Sequence, residues 1–148
     1  MSVIDKVLQG QPTESPTVTL REAAVTVLVA AVAADGAVAP AEADRLNALL
    51  SSMRLYRQVP PAHLQHLIDH ALEMTARGTP DELLAACAAV IPEDVRASIF
   101  TLAVELVFVD GTIAEREKRF VDMLQAALAI DDEIAIKIVE VLLIKSRA

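Results

Sequence analysis

Asp35-Gly36-Ala37-Val38-Ala39-Pro40-Ala41-Glu42 and Asp110-Gly111-Thr112-Ile113-Ala114-Glu115-Arg116-Glu117 are the two stretches whose reading decides the fold. They stand 75 residues apart, an offset that places Asp35 on Asp110, Gly36 on Gly111, Val38 on Ile113, Ala39 on Ala114 and Glu42 on Glu117. Each follows an apolar run: residues 23–34 carry no charge, and residues 97–109 carry only Glu105. A helix that is apolar all round belongs in an interior. Glycine suits the turn position after a helix, and Pro40 suits the first position of the next. Each phrase therefore predicts a helix stop, a tight turn and a helix start.

Working outward, the other segments read as helices too. Thr19-Leu20-Arg21-Glu22 has the capping-box pattern at the head of the first run, and Thr79-Pro80-Asp81-Glu82 repeats that pattern further on. Leu46, Leu49, Leu50 and Met53 share one face of the second helix. A loop over residues 54–59 leads to Pro60-Pro61 and a third helix with Leu64, Leu67, Ile68, Ala71 and Leu72 inward, closed by Gly78. Pro92-Glu93-Asp94 opens the fifth, Phe120, Val121, Leu124 and Leu128 face inward on the sixth, and Asp131-Asp132-Glu133 caps the seventh. The expected fold is all-α: a single compact bundle of about seven helices with a duplicated hairpin carrying Asp-Gly-x-[Val/Ile]-x-x-x-Glu turns. Residues 1–18 read as a flexible N-terminal arm and residues 19–148 as the helical domain.

Composition agrees. A chain of 148 residues suits one domain with a real core. Hydrophobic residues make up 54% but aromatics only 3%, so that core is built of Ala, Leu, Val and Ile, as in close-packed helices. The net charge of −8 repels phosphate backbones, and the one basic group is Arg116, Lys118 and Arg119, which excludes nucleic acid as the expected partner. Cys87 is the only cysteine, leaving no intrachain disulfide or thiolate cluster. The longest uncharged apolar run is too short to span a bilayer, and no secretory signal is readable, so a cytoplasmic protein without a membrane span is expected.

The repeated phrases admit two chemical readings. In one, Asp35 and Asp110 bond turn N–H groups, while Glu42 and Glu117 sit in first helical turns where the helix dipole favours them. In the other, Asp35, Glu42, Asp110 and Glu117 offer oxygens to a hard divalent cation such as Ca or Mg. The spacing is not that of an EF-hand.

An apolar helix running into Asp-Gly-x-[Val/Ile]-x-x-x-Glu, twice in an all-helical chain of this size, resembles the TerB-like family, named for a tellurite-resistance protein. The resemblance covers roughly residues 20–145. It implies an all-α fold of about seven helices, a metal site at the acidic turns, and a stress response carried out with protein partners in cytoplasmic or membrane-peripheral complexes. Carried over by position, the metal-ligating residues are Asp35, Glu42, Asp110 and Glu117. Pro40 stands where Glu115 stands in the second phrase, so the first is poorer in acid.

The alternative is a non-catalytic helical interaction module whose acidic turns are structural. One form of it is a homodimer formed through the last helix, with Ile138, Val139, Val141, Leu142, Leu143 and Ile144. His63, His66 and His70 lie along one stripe of the third helix, where a solvated edge is the ordinary reading and a transition-metal site the sharper one. Glu105, alone in an apolar helix, is expected to pair with a base. With no nucleophile–base pair and no Gly-rich phosphate loop, the protein is not expected to be an enzyme.

Overall fold

A computed structural model describes residues 2–4, 19–36, 38–108 and 111–148, with Asp35 as backbone only. From Leu20 onward it contains seven α-helices: α1 Leu20–Val32, α2 Pro40–Ser52, α3 Pro61–Arg77, α4 Pro80–Val90, α5 Glu93–Val107, α6 Glu115–Ala127 and α7 Asp132–Ser146. The N-terminal arm falls mostly outside the described residues.

Helix α1 is the axle of the fold. Its start is fixed by Thr19, whose hydroxyl accepts from the Glu22 N–H at 3.3 Å while the Glu22 carboxylate accepts from the Thr19 N–H at 3.4 Å. Every residue from Ala23 to Val32 is buried, and the helix packs against α3, α4 and α5. Thr26 is the one polar residue in that run, and its hydroxyl donates back to the Glu22 carbonyl at 2.7 Å. The small side chains Ala23, Ala24, Ala30 and Ala31 leave room for neighbouring backbones to approach, and Phe100, Leu28, Leu50 and Leu84 fill the space between.

Three polar clamps fasten the ends. Tyr56, buried, donates its hydroxyl to the Arg21 carbonyl at 2.6 Å, and Arg21 Nε donates to the Leu55 carbonyl at 3.1 Å. Arg96 spreads its guanidinium over the carbonyls of Ala88, Ile91 and Leu128, tying the end of α4 to the end of α6. Arg45 on α2 reaches the Glu105 and Leu106 carbonyls at 3.5 and 3.4 Å, supplying donors to the end of α5. Helix ends leave such carbonyls without intrahelical partners, so each arginine answers a defined need.

Some local expectations are corrected. The uncharged run does not stay α-helical to residue 34: α1 stops at Val32 and tightens into a 3₁₀ turn over Ala33–Asp35. The segment after Met53 is not a plain loop but begins as a 3₁₀ turn, Arg54–Tyr56, which delivers Tyr56 to the core. No side-chain capping bond forms at Thr79, so the second predicted capping box is absent and Pro80 opens α4 alone. Leu72 is 40% exposed rather than inward, because Leu64, Leu67, Ile68 and Ala71 already fill the buried face of α3.

Candidate functional site

The second residue of each acidic phrase is a glycine whose backbone suits a residue without a Cβ. Gly36 has φ +129° and Gly111 φ +73°. Gly36 closes the 3₁₀ turn with its N–H on the Ala33 carbonyl at 3.0 Å. Val38 and Ile113 follow, both half-buried and packed against the core, as their alignment predicts. The chain then enters α2 and α6 through Ala39 and Ala114, each in extended backbone.

Glu42 and Glu117 occupy the third position of their helices. Glu42 Oε1 accepts the Ala39 N–H at 3.0 Å, and Glu117 Oε1 accepts the Ala114 N–H at 2.9 Å. This is one half of a capping box; alanine, lacking a side-chain acceptor, cannot supply the other half. Each glutamate is thus brought back onto the start of its own helix, with Oε2 left over for another partner. The Asp35 carboxylate and all of Asp110 lie outside the described residues. Among the described residues, no group of three or more His, Cys, Asp or Glu side chains is arranged to hold a metal ion.

The histidine stripe behaves as a solvated edge. His63, His66 and His70 are all exposed on α3, and Asp69 beside them accepts from Gln65 at 2.9 Å. Glu105 finds its base: Lys145, at the end of α7, pairs with its carboxylate and joins α5 to α7. Cys87 is buried in α4, and burial pushes its thiol up to about 12, far from thiolate reactivity at neutral pH. Burial also pushes the Tyr56 phenol well above its ordinary value.

One feature escaped the sequence reading. Beside the first acidic turn lies a cavity of about 430 Å³, bounded by Ala33 and Ala34, the α3–α4 junction at Gly78 and Pro80, and Arg116, Arg119, Phe120 and Met123 of α6. The start of the second hairpin's helix therefore stands next to the first hairpin's turn. The signal for it was present: Arg116, Arg119, Phe120 and Met123 fall at i, i+3, i+4 and i+7, one stripe of a helix. Arg116 and Arg119 read only as the sole basic group in an acidic chain.

No helix among the described residues is long and apolar enough to cross a membrane. No curated protein and no solved structure matches the chain. Residues 21–139 match the family described as tellurite resistance protein TerB. That span runs from the head of α1 into α7 and includes both acidic turns, and on this match the chain belongs to the TerB family.

Proposed function

We propose that this protein is a non-catalytic member of a tellurite-associated stress response that binds or senses a divalent cation, Ca or Mg by donor type, through its two acidic turns. The observation that carries the reading is the matched placement of Glu42 and Glu117. Each carboxylate is pinned through one oxygen, which fixes the direction of the other and reduces the ordering cost of ligation. Each turn would then offer Oε2 of the glutamate, with Asp35 or Asp110 and turn carbonyls completing an oxygen set. When bound, the cation would supply charge that staples a turn to a helix start, and Asp, Glu and carbonyl donors suit a hard ion better than a soft one.

The experiment is thermal unfolding of the full chain with and without millimolar Ca or Mg. Binding to the folded state alone raises stability by RT ln(1 + [L]/Kd), about 2.7 kcal/mol at a hundredfold excess over Kd. Asp35→Asn with Asp110→Asn should abolish the rise. Unchanged melting across millimolar divalents in the parent protein sinks the cation reading.

A second reading, a helical interaction module, draws support from α7. Ile134, Val141 and Ile144 lie 45%, 62% and 62% exposed, while Leu142 and Ala135 anchor the opposite side. Covering such residues with a partner, or with a second copy in a homodimer, is the ordinary use of an exposed apolar face. Sedimentation of the protein and of Val141→Glu with Ile144→Glu separates the two readings, because chelator leaves this association unchanged.

A further inference from the structure

The cavity beside the first turn differs in character from the acidic phrases. Its volume of about 430 Å³ lies within the range of small-molecule sites. Ala30, Leu83, Phe120 and Met123 make its floor apolar, and Phe120 is 6% exposed. No buried side-chain nitrogen or oxygen among the described residues lacks a partner, so no orphaned polar group lies behind this floor.

Two cations face this apolar floor. Arg116 and Arg119 sit three apart on α6, one turn of one face, and neither has a hydrogen-bond or ion-pair partner among the described residues. The acid adjacent to Arg116 in sequence, Glu115, is taken by Lys118 at 3.1 Å. By contrast, Arg45 on α2, which the 75-residue offset matches to Phe120, lies along the end of α5 with its guanidinium on two carbonyls. At the matching place on α6 there is an aromatic floor instead, and Arg116 and Arg119 stand four residues and one residue nearer the helix start.

We infer that this cavity binds a small anion with an apolar tail, a medium-chain carboxylate by class, its tail against Ala30, Leu83, Phe120 and Met123 and its carboxylate between Arg116 and Arg119. Guanidinium forks match carboxylate geometry, and their positive charge is complementary to such a ligand in a chain that otherwise repels anions. An inorganic oxyanion would leave the apolar floor wet; an uncharged chain would leave the arginines unused. The inference is independent of the cation reading of the turns.

The test uses the full chain with isotope-labelled methionine methyl groups, titrated separately with octanoate, octanol and sulfate. Octanoate should shift the Met123 methyl saturably. Affinity should rise by up to roughly fourfold per added CH₂ along the carboxylate series until the cavity is full. Arg116→Gln with Arg119→Gln, both exposed positions, should weaken octanoate at least tenfold and leave octanol unchanged. A silent Met123, equal binding of octanol and octanoate, sulfate reproducing the octanoate shifts, or an unaffected double variant would each overturn the proposal. So would movement of Met53 instead, because Met53 lines a separate cavity with Arg21 and Arg54.

Discussion

Glu42 and Glu117 do the same thing in two helices: each folds back to accept the N–H of the alanine that precedes its helix, at 3.0 and 2.9 Å. A purely capping carboxylate is replaceable by any side chain that accepts in the same place. Glu42→Gln and Glu117→Gln are therefore expected to keep most of the stability, while the alanine variants lose about 0.5–1 kcal/mol each, the usual scale of a lost cap. Urea unfolding of the four variants measures this directly. A glutamine variant as unstable as its alanine counterpart would mean that the charge itself, not the hydrogen bond, matters.

Ala129 holds a left-handed conformation, φ +53°, just after α6. The Ile130 N–H reaches back to the Gln125 carbonyl at 3.0 Å, the closing bond of a helix C-terminal cap in which glycine is the usual residue. An L-residue there costs roughly 1 kcal/mol in steric conflict. Ala129→Gly should raise the unfolding free energy by about 0.5–1 kcal/mol, less any entropy that glycine adds to the unfolded chain. A fall in stability would show that the Cβ of Ala129 contributes packing that outweighs its strain.

The Tyr56 hydroxyl is buried and donates to the Arg21 carbonyl at 2.6 Å. Removing the oxygen leaves no stranded donor, and the carbonyl belongs to a helical residue, so the loss is confined to one hydrogen bond. Tyr56→Phe is expected to cost about 0.5–1.5 kcal/mol in equilibrium unfolding. The larger loss should come with Tyr56→Ala, at about 3–5 kcal/mol, because the cavity adds to it.

Alkaline pH should destabilise the fold through Cys87 first. Its thiol ordinarily titrates near 9 and is pushed up to about 12 by burial, so the unfolded chain releases a proton that the folded chain keeps. Stability is fully present below pH 9 and falls as pH rises toward 12, with a slope of at most about 1.4 kcal/mol per pH unit. The Tyr56 phenol, raised in the same direction, adds a loss of the same sign above pH 10. Cys87→Ala should flatten the first part of the curve. At neutral pH a thiol reagent should react with the native protein only as fast as the fold opens around α4.

How much of this was readable in advance follows from the range of each interaction. The helix starts at Pro40 and Pro61, the turn at Gly36 and the wholly buried α1 were legible because they depend on residues within one turn of each other, whereas α5 ends at Val107, four residues ahead of Gly111. The Thr79–Glu82 pattern satisfied the same local rule and still formed no cap, whereas Thr19 did. Motif spacing permits that bond without enforcing it. The Glu105–Lys145 pair was foreseeable as a need but not as a partner, since 40 positions separate the two residues. The cavity was hidden for the same reason: its walls come from α1, α3, α4 and α6, and only the α6 stripe has a local signature.

The complete burial of α1 also bears on how the molecule is made. The helices that chiefly shield it, α3, α4 and α5, all lie later in the chain, the last of them ending at Val107, and α6 adds a smaller contact beyond that. At synthesis rates of about 5–20 residues per second, the apolar run of α1 leaves the ribosome roughly 4–15 s before the end of α5 does. During that interval its cover is incomplete, with α2 first and then α3 and α4 arriving in turn. A nascent chain of this sequence is thus a natural client for a chaperone that grips short uncharged segments, and a burst of translation would make it the part most prone to clump.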